Sequence, residues 1–281
     1  MRASVATAHP LAGGRRNPIV LRLISAAVLA PLALGALWLG NPYFTILVVV
    51  AAGIMGWELA RLTLLRPGTA GIALIATAVA ATALAGLTHW NFALLALAVG
   101  AATVAALAIG NTASRAAWAA LGLIWIASGS LAALWLRELP GSGRNTLLWL
   151  FAVVWASDSA AYLVGKTLGG PLLAARLSPG KTWSGAFGGL AGAALVGAAT
   201  EKLLGIPLLS AVLWASVVLS VVAQAGDLLE SLAKRRFGVK DTSGLIPGHG
   251  GFLDRLDALL AVLLVVAGAS LITRISPLDW P

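Results

Sequence analysis

The residues best suited to chemistry lie between positions 231 and 257, where charge, glycine and histidine concentrate in an otherwise apolar sequence. A glycine-rich turn at residues 247–251 separates a basic stretch from a pair of aspartates. Lysine and arginine donate hydrogen bonds to phosphate oxygens, and successive glycines let backbone N–H groups form a nest for anions. The basic or protonatable side chains are Lys234, Arg235, Arg236, Lys240, Arg255 and His249.

Asp254 and Asp257 are three residues apart at the predicted start of a helix, and Asp241 precedes them. This spacing puts the two carboxylates on one helix face, where they could share a divalent metal. Cations, a glycine nest and a carboxylate pair together predict a metal–phosphate site. The alternative is a loop that is basic only because it orients the protein in a membrane. That alternative does not explain two aspartates at the start of an apolar helix.

The composition predicts an all-α, polytopic integral membrane protein. Of the 281 residues, 59% are hydrophobic and only 10% are charged, whereas a soluble domain carries about 25% charged residues. The absence of cysteine excludes disulfides and thiol chemistry. A net charge of +9 would suit a nucleic-acid partner. Because the charges lie mostly between apolar spans, we instead expect contact with anionic lipid or nucleotide and no nucleic acid.

About nine apolar stretches approach the ~20 residues that cross a bilayer. The weakest division lies at residues 89–91, between the third and fourth stretches. The first stretch is longer than a typical signal core, so we expect an uncleaved span. The predicted spans are 18–40, 43–61, 70–89, 92–110, 116–137, 146–167, 184–204, 207–236 and 252–274.

The distribution of basic residues predicts the orientation. With a cytoplasmic N-terminus, 15 of the 19 lysines and arginines fall on the cytoplasmic side, as the positive-inside rule requires. We therefore expect residues 231–257 to face the cytoplasm. Residues 1–17 are predicted to be a cytoplasmic tail, 18–140 to be scaffold helices in which Glu58 is nearly the only embedded charge, and 141–281 to be the catalytic region.

Asp158 lies within an otherwise apolar span, four residues before Tyr162 and therefore on the same helix face. An intramembrane carboxylate is costly and normally faces a partner or an aqueous cavity. Asp158 is therefore a candidate site residue. The alternative is a purely structural role, in a helix cap or a pair with an arginine.

The segment at residues 178–185 predicts a loop before a helix. Pro179 and Gly180 favour a turn, and Thr182 or Ser184 is suited to cap the helix. Lys181 would then lie beside a helix N-terminus, which favours phosphate. A P-loop is rejected because the upstream glycine and a βα unit are absent.

A third set of polar side chains lies at the end of the eighth span. Asp227, Glu230, Ser231 and Lys234 recur at helical spacing and form one stripe. Asp227 is the deepest and is predicted to bind or orient a metal. Glu230 is equally compatible with that role and with an ordinary pair to Lys234.

The region 231–257 resembles the signature of the phosphatidate cytidylyltransferase family, also called CDP-diacylglycerol synthases. The matching residues are Ser231, Lys234-Arg235, Lys240-Asp241, Pro247-Gly248-His249-Gly250-Gly251 and Asp254-Arg255-Leu256-Asp257. The segments around Asp158, Ser178–Gly185 and Asp227–Ser231 are also similar to the family. Position 184 departs from its pattern, which often has glutamate where this chain has serine.

The resemblance implies transfer of the cytidylyl group of CTP to phosphatidic acid, giving CDP-diacylglycerol and pyrophosphate at the inner (plasma) membrane. It implies Mg²⁺ at Asp254, Asp227 and Asp257, with a neighbouring monovalent cation such as K⁺. Lys234 and Arg255 join these aspartates as catalytic candidates. The residues expected to bind substrate are Lys181, Ser178, Arg235, Lys240, Asp241, His249, Gly250, Gly251 and Asp158. The sequence leaves a homodimer open.

Three alternatives differ in testable ways. A CDP-alcohol phosphotransferase requires an Asp-Gly-x-x-Ala-Arg segment that is absent here. A transporter would also bury Asp158 and Asp227, but it more often has repeated halves, and none is evident. A CTP-dependent lipid or polyprenol kinase would share the type of site but transfer the terminal phosphate.

Overall fold

The computed structural model describes residues 18–66, 68–87, 90–207 and 209–279, so the predicted tail at residues 1–17 lies outside the described residues. The described residues form nine α-helices and one small antiparallel hairpin. The helices are α1 Pro18–Leu39, α2 Tyr43–Thr63, α3 Gly68–Leu87, α4 Trp90–Ala108, α5 Ala113–Arg137, α6 Gly143–Leu168, α7 Trp183–Leu204, α8 Ala211–Arg236 and α9 Leu253–Thr273. The strands are β1 Leu172–Ala174 and β2 Ser178–Thr182.

The helical membrane architecture is confirmed, with one helix for each predicted span. Seven of the helices in the described part are long and apolar enough to cross a membrane. The described apolar stretch of α1, Ile24–Leu39, is shorter, and α7 falls outside the seven. The weak division between the third and fourth spans is a real boundary, because α3 ends at Leu87 and α4 begins at Trp90.

Short polar residues cap the first turns of α7 and α8. The Thr182 hydroxyl accepts a hydrogen bond from the backbone N–H of Gly185 at 3.1 Å, as predicted for a cap. Ser210 caps α8 in the same way, accepting from Val212 N–H at 3.2 Å. Such caps satisfy N–H groups that the first helical turn leaves without a partner.

Small residues allow helices α6 and α7 to lie against each other. A Cβ atom added to Gly188 would lie 2.6 Å from Val164, and one added to Gly192 would lie 2.7 Å from Ala160. Real Cβ atoms do not approach so closely, so these glycines permit the contact. This close contact holds the part of α6 that carries Asp158 beside the first turns of α7.

Helix α5 joins the first half of the bundle to the second. It packs against both α2 and α9. At these contacts Gly122 faces Leu59 of α2, and Gly129 faces Leu260 of α9. The predicted scaffold therefore supports the helix that carries Asp254 and Asp257.

The structure corrects the prediction of a turn at Pro179-Gly180. These residues belong to β2, which pairs with β1, and the chain reverses at residues 175–177 instead. Gly170 has a φ of +108° in the segment that leads into β1, a conformation that suits glycine alone. The pairing holds Lys181 in an extended strand directly before α7.

Candidate active site

A cavity of about 1220 Å³ opens among α1, α2, α5, α6, β2, α8 and α9. One end is charged, and an apolar part extends from it between α1, α2, α5 and α6. The charged end brings together residues that are far apart in the sequence. Eight of the predicted site residues line the cavity: Asp158, Lys181, Asp227, Lys234, His249, Asp254, Arg255 and Asp257.

Lys234 lies at the centre of the carboxylates. Its side chain is nearly buried, and its Nζ donates to Asp254 Oδ1 at 2.8 Å. It also forms an ion pair with Glu230, one helical turn earlier on α8. The pair that the sequence analysis weighed for Glu230 is therefore present. Breaking such a buried arrangement by removing one partner typically costs about 3–5 kcal/mol.

Asp254 also fastens the loop before α9. Its Oδ2 accepts hydrogen bonds from the backbone N–H of Gly251 at 2.8 Å and of Thr242 at 3.0 Å. Its Oδ1 accepts from Lys234. One carboxylate therefore links α8, α9 and the glycine-rich turn. A carboxylate has about four acceptor positions, so one direction remains for a further ligand.

Glu58 is a site residue that the sequence analysis assigned to the scaffold. Its side chain is fully buried. One oxygen accepts from Leu253 N–H at 2.6 Å, and the other accepts from Phe252 N–H at 2.8 Å. The hydroxyls of Thr242 and Ser243 donate to the same carboxylate. Glu58 thus caps α9 from helix α2 and holds the loop at its start.

Lys181 and Asp227 form a further ion pair, with Nζ and Oδ2 2.5 Å apart. Both side chains are partly exposed to the cavity. Asp227 is also close enough to Asp158 and Asp257 for its charge to act on both. This group joins three helices and β2 at one wall of the charged end.

The glycine-rich turn meets α1 at the mouth of the cavity. His249 Nδ1 lies 2.9 Å from the Ser25 hydroxyl. Arg255 donates from its guanidinium to the His249 carbonyl at 2.8 Å, which ties α9 to the turn. Ser25, like Glu58, is a contact from the N-terminal half that spacing within the signature could not indicate.

Six predicted substrate-binding residues surround the cavity without lining it. Ser178 is half-buried in β2, whereas Arg235, Lys240 and Asp241 are exposed. Arg235 donates to the carbonyls of Leu177 and Val239, both at 3.2 Å, and so links the hairpin to α8. The other two, Gly250 and Gly251, form the turn that packs on Asp254.

Gly251 is the tightest point of that turn. A Cβ atom added there would lie 2.9 Å from Glu58 Oε1 and 3.0 Å from Asp254 Oδ2, and closer still to the Thr242 hydroxyl. Only glycine lets the backbone approach both carboxylates. The requirement here is space, because glycine's left-handed conformation occurs at Gly250, with φ +91°, and not at Gly251.

Ser184, the departure from the family pattern, has a structural role here. Its hydroxyl donates to the Gly169 carbonyl at the end of α6, and it lies 2.9 Å from the Thr182 hydroxyl. Ser184 therefore helps to join the end of α6 to the start of α7. It does not line the cavity.

The donor chemistry fits a hard divalent cation, although within the described ranges no three histidine or acidic side chains converge as a ready-made metal site. Asp227, Asp254 and Asp257 present carboxylate oxygens to one cavity, and such oxygens are the ligands that Mg²⁺ prefers. Glu230 Oε1 is buried beside them without a hydrogen-bond partner. Lys234 pairs with the other oxygen of this carboxylate, so Oε1 remains an acceptor that a bound cation would satisfy.

The helical bundle places cations and carboxylates together in one cavity. This arrangement is typical of membrane enzymes that act on phosphorylated substrates. The chain matches the model described as "Cytidylyltransferase family" over residues 20–272. It therefore belongs to the cytidylyltransferase family, and it is a nucleotidyltransferase.

Individual relatives support this assignment. The chain is 40% identical over 263 residues to "Phosphatidate cytidylyltransferase" of Brucella suis, covering 88% of this chain and 92% of the relative. It is 36% identical over 258 residues to the protein of that name from Pseudomonas aeruginosa, covering 88% and 94%. A third, from Haemophilus influenzae, is 43% identical over 129 residues, covering 44% and 45%.

Proposed function

We propose that the chain is a phosphatidate cytidylyltransferase, which transfers the cytidylyl group of CTP to phosphatidic acid and releases pyrophosphate. The observation that carries this proposal is a single cavity whose charged end continues into an apolar part. A nucleoside triphosphate needs the charged end. A phosphorylated lipid needs the charged end for its phosphate and the apolar part for its hydrocarbon. An aqueous transport path would need polar groups along its whole length.

The reaction joins two anions, so its barrier is largely electrostatic. The phosphate oxygen of phosphatidic acid attacks the α-phosphorus of CTP, the bond to the β-phosphate oxygen breaks, and pyrophosphate leaves with both electrons of that bond. A phosphate monoester needs no strong base to act as nucleophile. The protein's task is therefore to hold both phosphates in line and to stabilise the leaving charge.

Lys181 and Arg255 are the cations best placed to contact these phosphates, because both line the cavity and both are more exposed than the buried Lys234. Lys181 would contact phosphate from its pair with Asp227. Lys234 also lines the cavity, but it is engaged with Glu230 and Asp254. We assign it to holding Asp254 in place and neutralising the carboxylates. Asp158 faces the same space and is proposed to orient the nucleotide.

The glycine-rich turn, with His249, Gly250 and Gly251, is proposed to shape the seat of the triphosphate. The backbone N–H groups of His249 and Gly250 donate to the Ile246 carbonyl and that of Gly251 donates to Asp254, so these contacts keep the turn in shape. Asp241 packs against Gly250 and would support the turn. The remaining candidates, Arg235, Lys240 and Ser178, lie around the charged end. The two cations, Arg235 and Lys240, would attract anionic substrates to the cavity mouth. Ser178, on the same strand as Lys181, would help to close the site.

Asp254, Asp227 and Asp257 would hold Mg²⁺, and a monovalent cation such as K⁺ is expected beside them. Bound there, Mg²⁺ would neutralise charge on the triphosphate and on the departing pyrophosphate. The remaining phosphate contacts come from the lysines and arginine of this chain.

The bacterial relatives and the apolar helices support a location in the inner membrane, among membrane lipids. The distribution of basic residues supports a site that faces the cytoplasm, where CTP is available. A homodimer stays a prediction that needs a measurement of mass in detergent.

The decisive experiment uses purified protein with phosphatidic acid and CTP labelled at the α-phosphate, with and without Mg²⁺. Label in a lipid product, only when Mg²⁺ is present, is the expected result. Label that remains in soluble CDP would instead point to transfer of the terminal phosphate, as in a lipid kinase. No turnover by folded protein would overturn both enzymatic assignments.

A further inference from the structure

The ion pair between Lys181 and Asp227 differs from the other charged contacts of the cavity in how loosely it is held. Both side chains line the cavity, and both are partly exposed, Lys181 by 24% and Asp227 by 34%. Among the described residues, neither side chain makes a further hydrogen bond. Each is therefore held mainly by the other, and each can accept a new partner from the cavity.

Lys234 is the contrasting case, a cation that is fixed in the same site. It is nearly buried and is shared between Glu230 and Asp254. Moving Lys234 would break both ion pairs and leave two buried carboxylates without compensation. The pair of Lys181 breaks by rotation of one flexible side chain into the cavity. The backbone of Lys181 belongs to β2 and can stay in place during that rotation.

A divalent metal and Lys181 compete for Asp227. The lysine Nζ lies 2.5 Å from Oδ2 of this aspartate, and carboxylate oxygens bind Mg²⁺ at about 2.0–2.1 Å. Two cations so close to one carboxylate repel each other. Metal binding therefore weakens the ion pair, and an intact pair weakens metal binding. Asp158 and Asp257 lie near enough to Asp227 for their charges to interact with it, which draws a cation to this wall.

We propose that Lys181 is a placeholder cation: it neutralises Asp227 before a divalent metal binds, and it turns to the phosphates of the nucleotide once that carboxylate holds the metal. The second step rests on the proposed function, whereas the competition for Asp227 needs no substrate. The consequence is coupling between the two ligands. By linkage, metal binding strengthens the contact of Lys181 with phosphate, and phosphate binding strengthens metal binding by the same factor.

The test of the first step measures metal binding without nucleotide, so its outcome does not depend on turnover. Mn²⁺, a paramagnetic substitute for Mg²⁺, is titrated into the purified protein in detergent, and the free ion is followed by EPR. Lys181→Met is compared with Lys166→Met, which removes the same charge from another lysine that lines the cavity. Within the described ranges, Lys166 contacts the Tyr162 hydroxyl, at 3.4 Å, and no carboxylate.

Lys181→Met should bind Mn²⁺ about fivefold more tightly, the upper end of what exposed ion pairs contribute, because this pair is only partly exposed. Lys166→Met should bind it as the wild type does. In an Asp227→Asn background, Lys181→Met should bring no gain, because the shared acceptor is gone. Unchanged or weaker binding in Lys181→Met would overturn the placeholder. A gain of the same size in Lys166→Met, or in the Asp227→Asn background, would also overturn it.

The second step is measured as binding of labelled CTP by equilibrium dialysis, with Mg²⁺ and with a chelator. Mg²⁺ should strengthen CTP binding about fivefold less in Lys181→Met than in the wild type, because the coupling through Lys181 is lost. Equal strengthening in both proteins would overturn the transfer of Lys181 to phosphate. Absence of wild-type turnover, with both binding results as expected, would count against the proposed function and not against the placeholder.

Discussion

Glu58 Oε2 accepts a hydrogen bond from the backbone N–H of Leu253 at 2.6 Å, joining helix α2 to the first residue of α9. The N–H groups at a helix start carry partial positive charge and have no partner within the helix. A buried carboxylate is therefore a strong cap. It also fixes the position of Asp254, the next residue.

Replacing Glu58 with alanine should release the loop at residues 237–252 from helix α2. Two backbone N–H groups and two hydroxyls would lose their acceptor. Each unsatisfied buried group costs about 1–3 kcal/mol of stability, so the loop and Asp254 should lose their fixed positions. We therefore expect kcat to fall about 100-fold or more. Glu58→Gln keeps one acceptor oxygen and should be intermediate.

Glu138→Gln is the control for Glu58, because Glu138 is exposed and lies far from the cavity. It should leave turnover unchanged. Proteolytic cleavage between residues 237 and 252 should become faster in Glu58→Ala and stay slow in the control. Wild-type kinetics in Glu58→Ala would show that Glu58 does not support the active site.

The glycine-rich turn offers a second matched pair. A Cβ atom at Gly251 would collide with groups that include both Glu58 and Asp254, whereas one at Gly244 would meet nothing within 4 Å. Overpacking typically costs about 1–3 kcal/mol of stability, which the turn would relieve by shifting away from Asp254. Gly251→Ala should therefore reduce kcat/KM by about tenfold or more. Gly244→Ala should remain near wild type. Equal activity of the two variants would show that the turn is not held as tightly as described.

Lys234 and Arg236 allow a buried cation to be compared with an exposed cation on the same helix. Lys234→Met would leave Glu230 and Asp254 close together without compensation. We expect lost turnover and a loss of stability of about 3–5 kcal/mol, measured as a lower Tm. Arg236→Met should change little, because this side chain is exposed.

A second substitution distinguishes stability from function at this position. Adding Glu230→Gln to Lys234→Met removes one of the two stranded charges and should recover part of the lost Tm. Activity should not return, because Asp254 still lacks its cation. Full recovery of turnover would show that Lys234 serves stability alone.

Asp254→Asn should abolish turnover while the protein remains folded in the membrane. An amide has one acceptor oxygen in place of two, so it cannot accept from Lys234, Thr242 and Gly251 together. Asp279→Asn is the control, because Asp279 accepts a hydrogen bond from Ser142 at 2.7 Å and lies outside the cavity. Normal turnover of Asp254→Asn would contradict a role for this residue in metal binding.

The metal assignment predicts a shift in Mg²⁺ dependence. Chelation of Mg²⁺ should stop the reaction reversibly. In Asp227→Asn and Asp257→Asn, the Mg²⁺ concentration for half-maximal rate should rise, by about tenfold to 100-fold if each supports the ion without being its sole ligand. Unchanged Mg²⁺ dependence in both variants would show that the metal binds elsewhere.

Local spacing predicted much of the charged end. Asp254 and Asp257 share a helix face because they are one turn apart, and Lys234 meets Glu230 for the same reason. The hydropathy of each span predicted the helices, and a threonine before α7 predicted its cap. These features depend on neighbours within a few residues, which the sequence displays directly.

Contacts between distant segments were not predictable in this way. Glu58 and Leu253 are 195 residues apart, and nothing in their local sequences pairs them. The one available signal was a lone carboxylate in an apolar span, which the cost of burying charge makes unusual. The hairpin also escaped prediction, because Pro179 and Gly180 normally favour turns and here lie in a strand that pairs across a turn of other residues.

The tie between α2 and α9 has a consequence for biosynthesis. At about 5–20 residues per second, translation of the 195 residues between Glu58 and Leu253 takes roughly 10–40 s. Until then, the N–H groups that compensate Glu58 do not exist. A chain truncated before α9 would therefore keep an unsatisfied carboxylate within its second span. Proteases that remove incompletely assembled membrane proteins should recognise such a chain more readily than the finished bundle.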